Sequence, residues 1–349
     1  MNSFGVGVKI AFFEIEKWEA EYIKDNFQFP ISNFQFFEGK LDKDNLPEQR
    51  DFDVISVFVG SEIRKEVIDA LPNLKLIATR STGFDHIDAV YAKEKGIKTA
   101  YIPGYGDNTV AEFAFALILS LSRKIFEAYD RIKEKGQFDF EGLRGFDLNG
   151  KTIGIIGTGR IGRFMVKIAK GFGMDVLAFD AYPNQKMAEE LGFKYVSLDE
   201  LLVNSDVISL HIPYNEFTHH LINANNILKI KKGALLINTA RGLLVETEAL
   251  VKALSEERLG GYGADVLEEE GIIKDERQFL LSGSLEGHNL RAVLADHILI
   301  DMPNVIITPH TAFNTKEALQ RILDTDIENI KIFIETGEIK FSIPYPSKI

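Results

Sequence analysis

Residues 151–180 read KTIGIIGTGRIGRFMVKIAKGFGMDVLAFD, and the fold turns on them. The run Thr152-Ile153-Gly154-Ile155-Ile156 is apolar, rich in β-branched residues and bounded by glycines, as a buried parallel strand is. Gly157-Thr158-Gly159-Arg160-Ile161-Gly162 follows at once. Ile161, Met165, Ile168 and Phe172 then recur at helical spacing on one face. A second apolar strand, Val176-Leu177-Ala178-Phe179, ends in Asp180. Alone, GxGxxG is a glycine-rich turn. Between a strand and a helix, with an acid about 20 residues on, it predicts a dinucleotide site. Gly157 permits the tight turn, Gly159 removes a Cβ where a pyrophosphate approaches, and Gly162 lets helix and strand pack closely. The helix N-terminus presents unpaired N–H groups and partial positive charge to a diphosphate.

Asp180 points to NAD. A carboxylate at this strand end accepts hydrogen bonds from ribose hydroxyls and repels the 2′-phosphate of NADP. Ala181-Tyr182-Pro183 offers no arginine to receive a phosphate. The plainer reading is an acid that opens the turn before Pro183.

Working outward, 349 residues suggest two domains. Hydrophobic content of 45% and charged content of 26% suit a globular protein with large cores. A net charge of −12 argues against general nucleic-acid or anionic-membrane binding. With no cysteine, disulfides, thiolate catalysis and thiolate metal sites are excluded, and no metal is expected. Glu14, Glu16 and Lys17 come too early for a secretory leader, so a cytoplasmic location is expected. The apolar run over residues 113–121 is half a membrane span in length. It reads as a helix buried on all sides, between domains or subunits.

Strands are expected over residues 9–15, 33–37, 54–59, 74–79 and 98–102, with helices over 18–26, 62–71 and 88–95. That alternation implies a parallel α/β unit. It carries no phosphate-binding fingerprint. Pro103-Gly104-Tyr105-Gly106 reads as a hinge. Asn108 or Thr109 is a candidate cap for the next helix, with Glu112 completing a capping box to Thr109. Helices are expected over 124–135, 198–203 and 247–258. Strands are expected over 193–196, 207–212, 234–239, 262–266 and 305–308. Residues 268–302 break the rhythm, and 315–335 read as one long helix.

Ligands gather outside the carboxyl ends of strands in such sheets. Thr82-Gly83, Thr239-Ala240-Arg241-Gly242, Asp265 with Glu270 beyond it, and His310 all fall there. His310 titrates near neutrality and can pass the proton that accompanies hydride transfer. One histidine of seven is more often structural, but this one stands beside the expected crevice. Glu270 can hydrogen-bond an imidazolium, although spacing does not separate it from Glu268 and Glu269. Arg241 offers a planar fork for a carboxylate. Its plainer reading is a surface ion pair.

Together these pieces resemble the D-isomer-specific 2-hydroxyacid dehydrogenases, most of all those of D-lactate type. The resemblance spans residues 74–329. It is carried by Arg80-Ser81-Thr82-Gly83-Phe84-Asp85-His86-Ile87-Asp88, residues 105–112, the glycine fingerprint and Leu210-His211-Ile212-Pro213. Ile237-Asn238-Thr239-Ala240-Arg241-Gly242, Gly263-Ala264-Asp265-Val266-Leu267-Glu268-Glu269-Glu270 and Thr308-Pro309-His310-Thr311-Ala312-Phe313-Asn314-Thr315 complete it.

The resemblance implies a two-domain α/β protein. Its Rossmann NAD-binding domain (residues 104–311) is inserted in a flavodoxin-like substrate domain (1–103 and 312–349), with a cleft between. It implies catalytic roles for Arg241, Glu270 and His310, which settles the choice among the glutamates. It implies substrate contacts from Thr82, Gly83, Tyr105 and Phe313. It implies cofactor contacts from Gly157, Gly159, Arg160, Ile161, Gly162, Asp180, His211, Pro213, Thr218, Thr239, Ala240 and Asp265. The expected reaction is reversible reduction of a small 2-keto acid, pyruvate first, by a homodimer. Hydroxypyruvate, glyoxylate or a bulkier keto acid are alternatives, as is an NAD-sensing, corepressor-like binding protein. A phosphorylated glycerate fits less well, since no further domain follows the long helix. Phe113 replaces a histidine frequent in the family, and residues 271–302 match it poorly. His288 and His297 within them read as structural.

Overall fold

All strand pairs within the two sheets of the computed structural model, which describes residues 7–27, 32–274 and 289–344, run parallel. The chain divides into two units, residues 1–105 with 315–349, and residues 106–314.

The first unit holds β1 (Val8–Phe13), β2 (Ser32–Phe37), β3 (Val54–Val57), β4 (Leu76–Thr79) and β5 (Lys98–Ala100) in the order β2-β1-β3-β4-β5. That is the flavodoxin-like order, with its reversal between β1 and β3. β3 and β4 are buried at every position, which explains why they are mostly apolar rather than alternating. Ser56 is the polar exception in β3. It accepts from Arg80 Nη1 at 2.9 Å and donates to Asp326 Oδ2 at 2.7 Å. Asp326 lies on the helix Lys316–Thr336, whose Leu323, Ile327, Ile330 and Phe333 pack with Ile10, Phe12, Val54 and Leu76. Thr315 caps this helix by accepting the Ala318 N–H at 3.2 Å, and Gly337, at φ 74°, ends it.

The second unit holds β6 (Thr152–Ile156), β7 (Asp175–Phe179), β8 (Lys194–Tyr195), β9 (Val207–Leu210), β10 (Ala234–Asn238), β11 (Leu259–Ala264) and β12 (Val305–Ile307). Their order is β12-β11-β10-β9-β6-β7-β8. This is the Rossmann order with one strand added beyond the sixth, and its reversal falls between β6 and β9. Helices Asp107–Ser122 and Arg160–Gly171 share one core, built on Ala114, Ile118, Met165 and Ile155. Leu201 and Leu250, from helices Leu198–Asn204 and Thr247–Ser255, lie in the other.

Several expectations need correction. Helix Asp107–Ser122 begins at a Gly106 cap with no side-chain bond. Asn108 instead donates to Glu112 Oε1 at 3.1 Å, within the helix. Within residues 113–121 of the single chain, Ala116 is exposed and the others are buried or half-buried. Helix Gln185–Leu191 is not among the expected elements, and Leu290–Asp301 is a full helix within residues 268–302, which read only as helical fragments mixed with charge and glycine. The first is too short to show a period. The second carries exposed Leu294, Ile298 and Ile300 and so has no clean apolar stripe. His297 lies on it, whereas His288 is outside the described residues.

Candidate active site

In the second unit two of the three fingerprint glycines, Gly157 and Gly162, are needed for space. A Cβ on Gly157, at φ 95°, would meet the His211 carbonyl oxygen at 2.5 Å, and one on Gly162 would meet Gly157 O at 2.0 Å. A Cβ on Gly159 would meet nothing within 4 Å. The loop therefore opens on one side and is walled on the other. Helix Arg160–Gly171 starts at Gly159 with no side-chain cap, which leaves its first N–H groups without a side-chain acceptor. Arg160 pairs with Asp107 at 2.9 Å, and Ile161 is half-buried against the core.

Asp180 stands beside this loop. Its Oδ2 accepts from the Thr158 N–H at 2.7 Å and hydroxyl at 2.8 Å, and its Oδ1 accepts from the Tyr182 N–H at 2.9 Å. Burial raises its pKa, but these hydrogen bonds outweigh that and hold it below the usual carboxylate range. Thr158 also meets Tyr195 at 2.7 Å. The motif masks this part of Thr158, since its middle position admits any residue.

The next strand ends carry two buried polar atoms without a hydrogen-bond partner, His211 Nδ1 and Thr239 Oγ1. Burial pushes the His211 imidazole down to about 3, so it is neutral, with Nε2 on Ser209 at 2.8 Å. Orphaned groups at these strand ends, an open glycine loop and an ionised Asp180 together fit a dinucleotide. Pro213 and Thr218 brace their own loop, the hydroxyl donating to Pro213 O at 2.8 Å and accepting from Asn215 N at 2.8 Å.

Arg241 sits in a turn pinned by Asn238, a buried residue the sequence did not single out. Asn238 accepts from the Ala240 N–H at 3.1 Å and donates to the Arg241 carbonyl at 2.8 Å. A Cβ on Gly242 would meet Leu267 O at 2.0 Å, so this turn lies against the segment that leads to the three glutamates.

His310 has a left-handed backbone, at φ 55°. A β-carbon makes that conformation costly, and such outliers cluster at functional sites. Asp265 holds the turn. It accepts from Thr308 Oγ1 at 2.5 Å, Thr311 N at 2.9 Å and Ala312 N at 2.7 Å. Asp265, 1% exposed, is thus tied to the His310 turn. The turn brings His310 Nδ1 to 3.0 and 3.2 Å from the two oxygens of Glu270. A carboxylate only accepts, so Nδ1 carries the hydrogen. Glu268 is engaged elsewhere, by Thr247 and by His220 at 3.0 Å. Half-buried Phe313 follows in the same unit.

In the first unit, Thr82 is exposed and donates to Ile102 O at 2.8 Å, while Ser81 donates to Gly83 O at 2.6 Å. Arg80, 2% exposed, underpins this loop by donating to Phe13 O at 2.7 Å and Glu14 O at 2.9 Å. The Tyr105 carbonyl accepts from Arg321 at 2.7 Å.

Residues 115–312 match the family described as "D-isomer specific 2-hydroxyacid dehydrogenase, NAD binding domain". The chain belongs to the D-isomer-specific 2-hydroxyacid dehydrogenases. As a dehydrogenase of this family it is an NAD-dependent oxidoreductase. It is 36% identical over 338 residues to the D-lactate dehydrogenase of Escherichia coli, covering 95% of this chain and 98% of that one. It is 35% identical over 317 residues to a glyoxylate reductase of Korarchaeum cryptofilum, covering 87% and 89%. The structure of Aquifex aeolicus D-lactate dehydrogenase complexed with NAD and lactic acid superposes with a TM-score of 0.82 at 37% identity, covering 97% of this dehydrogenase and all of that chain.

Proposed function

We propose that this dehydrogenase reduces a small 2-keto acid, pyruvate before others, to the D-2-hydroxy acid, and runs reversibly. The hydrogen-bonded pair of Glu270 with His310 carries the reading. Gly157, Gly159 and Gly162, the N–H groups of Arg160 and Ile161, and the strand ends at His211, Pro213, Thr239 and Ala240 hold NAD, with Thr218 bracing the loop. The remaining acceptor capacity of Asp180 goes to a ribose hydroxyl. When bound, the cofactor supplies or accepts the hydride.

Arg241 grips the substrate carboxylate and draws charge toward the carbonyl oxygen, with help from backbone N–H groups at Thr82-Gly83. Tyr105 and Phe313 limit the side chain admitted. His310, protonated, gives its Nε2 proton to that oxygen, and Glu270 stabilises the imidazolium at Nδ1. Asp265 keeps the His310 turn in place. The exposed apolar residues Phe126, Tyr129 and Ile132 on helix Ile125–Lys135 support a homodimer. The absence of cysteine is consistent with the cytoplasm. No described helix is long and apolar enough to cross a membrane.

The test is a panel of pyruvate, hydroxypyruvate, glyoxylate and bulkier keto acids, followed at NADH absorbance with product chirality assigned. Pyruvate should turn over best and give D-lactate. An L-product, or no turnover across the panel, sinks the reading. His310→Ala should lower the rate roughly 10²- to 10⁴-fold. Arg241→Lys should weaken both substrate binding and turnover, since Lys lacks the fork.

A further inference from the structure

Glu269 is clamped by helix Leu290–Asp301. Its N–H donates to Asp296 Oδ2 at 3.1 Å, and its Oε1 accepts from Asn289 N, at the start of that helix, at 2.8 Å. Its carbonyl accepts the Ile272 N–H at 3.0 Å and so opens the short helix Glu270–Lys274. Whatever fixes Glu269 therefore fixes the residue after it, the partner of His310.

Asp296 is 0% exposed. Its Oδ1 makes no hydrogen bond among the described residues. A buried carboxylate with an idle oxygen is an expensive way to stabilise a fold. An apolar residue would fill that space with no idle oxygen, at the cost of the acceptor for the Glu269 N–H. Such a group is instead suited to holding one N–H in place.

We infer that Asp296 is a positioning residue for the Glu270–His310 pair, acting through the Glu269 N–H to set where the Glu270 carboxylate stands. The inference rests on the acid–base reading of that pair. The groups that face Asp296 are Glu268 and Glu269 after β11, Tyr262 on β11 and His297 beside it. Helix Thr247–Ser255, packed against the same helix, carries Glu248, 3.9 Å from Arg291, and Lys252, and β12 offers no titratable group. Burial, with Glu268 and Glu269 adding to it, pushes the Asp296 carboxyl up to about 6. Below that pH the acid turns neutral and its hold on the N–H weakens.

Two variants and two readouts test this. Asp296→Leu removes the acceptor, and Asp296→Asn keeps an acceptor oxygen but cannot ionise. With pyruvate and NADH, D296L should lose about 10- to 100-fold in kcat while KM moves little, as for a misplaced reacting group. D296N, a neutral acceptor like the protonated acid, should recover part of that, to the level the wild type keeps below about pH 6. The wild type should show an acid-side limb in kcat near pH 6, and D296N should lack it. The second readout needs no turnover: ¹⁵N spectra of histidine-labelled protein, with the His310 Nδ1 signal assigned by its loss in His310→Gln. That signal should shift or broaden in D296L and return in D296N. Wild-type kcat or an unchanged Nδ1 signal in folded D296L overturns the proposal, and so does a wild-type acid limb in D296N. Absence of turnover in the wild type would sink the keto-acid reading alone, and the Nδ1 signal would still decide the role of Asp296.

Discussion

Among single residues, the glutamates of the run 268–270 show what side-chain identity leaves open. Their spacing is the same, yet each finds a different partner, and only Glu270 reaches His310. Asp296 and Asp326 are both pushed up to about 6, burial being the largest cause in each. A folded value above the unfolded one means that the fold favours the neutral acid. That contribution is complete below the unfolded value and is lost as pH rises through about 6. For Asp296 the ionised group then opposes folding by up to about 3 kcal/mol, taking about 1.4 kcal/mol per pH unit. Asp296→Asn should accordingly raise the melting temperature at pH 8, and the gain should fade toward pH 4. A gain that grew on acidification would contradict this. Arg80 carries the opposite lesson. It satisfies Phe13 O, Glu14 O and Ser56 Oγ, with Asp326 beyond the serine. Arg80→Met should cost on the order of 3–5 kcal/mol, because it strands a buried acid and three acceptors. Denaturant unfolding would show it as a lower midpoint.

Among elements, the periodic ones were legible and the irregular ones were not. The β6 strand, its loop and its helix could be read because three independent signals coincide within 30 residues: an apolar run, glycines at fixed offsets and a 3.6-residue period. Gly162→Ala tests that unit. The added carbon would sit 2.0 Å from the Gly157 carbonyl oxygen, so helix and strand must part. NADH affinity, measured by fluorescence titration, should fall well below wild type even where the fold survives. Helix Lys316–Thr336 is as clear, and its cap can be weighed. Thr315→Ala should cost about 0.5–2 kcal/mol, seen as a lower midpoint with the slope unchanged. Helix Leu290–Asp301 has no bounds legible in the sequence, only a helical fragment within residues 268–302, because its apolar residues do not fall on one face. It nevertheless carries Asp296, and so the control proposed for Glu270.

At the scale of the whole molecule, the cofactor should report on folding. A ligand that binds only the native state stabilises it by mass action, about 2.7 kcal/mol at 100 times its Kd. NADH should raise the melting temperature more than NADPH does at equal concentration, if Asp180 chooses between them. Equal shifts would remove that role. The sequence by itself determined the fold class, the nucleotide fingerprint and the strand ends where chemistry gathers, because periodicity and glycine placement are local constraints that short windows carry. Spacing left three glutamates open and the family resemblance chose Glu270; only the tertiary structure showed that its carboxylate stands against His310, that Asp265 serves the His310 turn, and that Asp296 holds Glu269. Each of those contacts joins residues 27 to 47 positions apart. Their separation in the chain leaves no local pattern, and which carboxylate is reached depends on how sheet and helices pack.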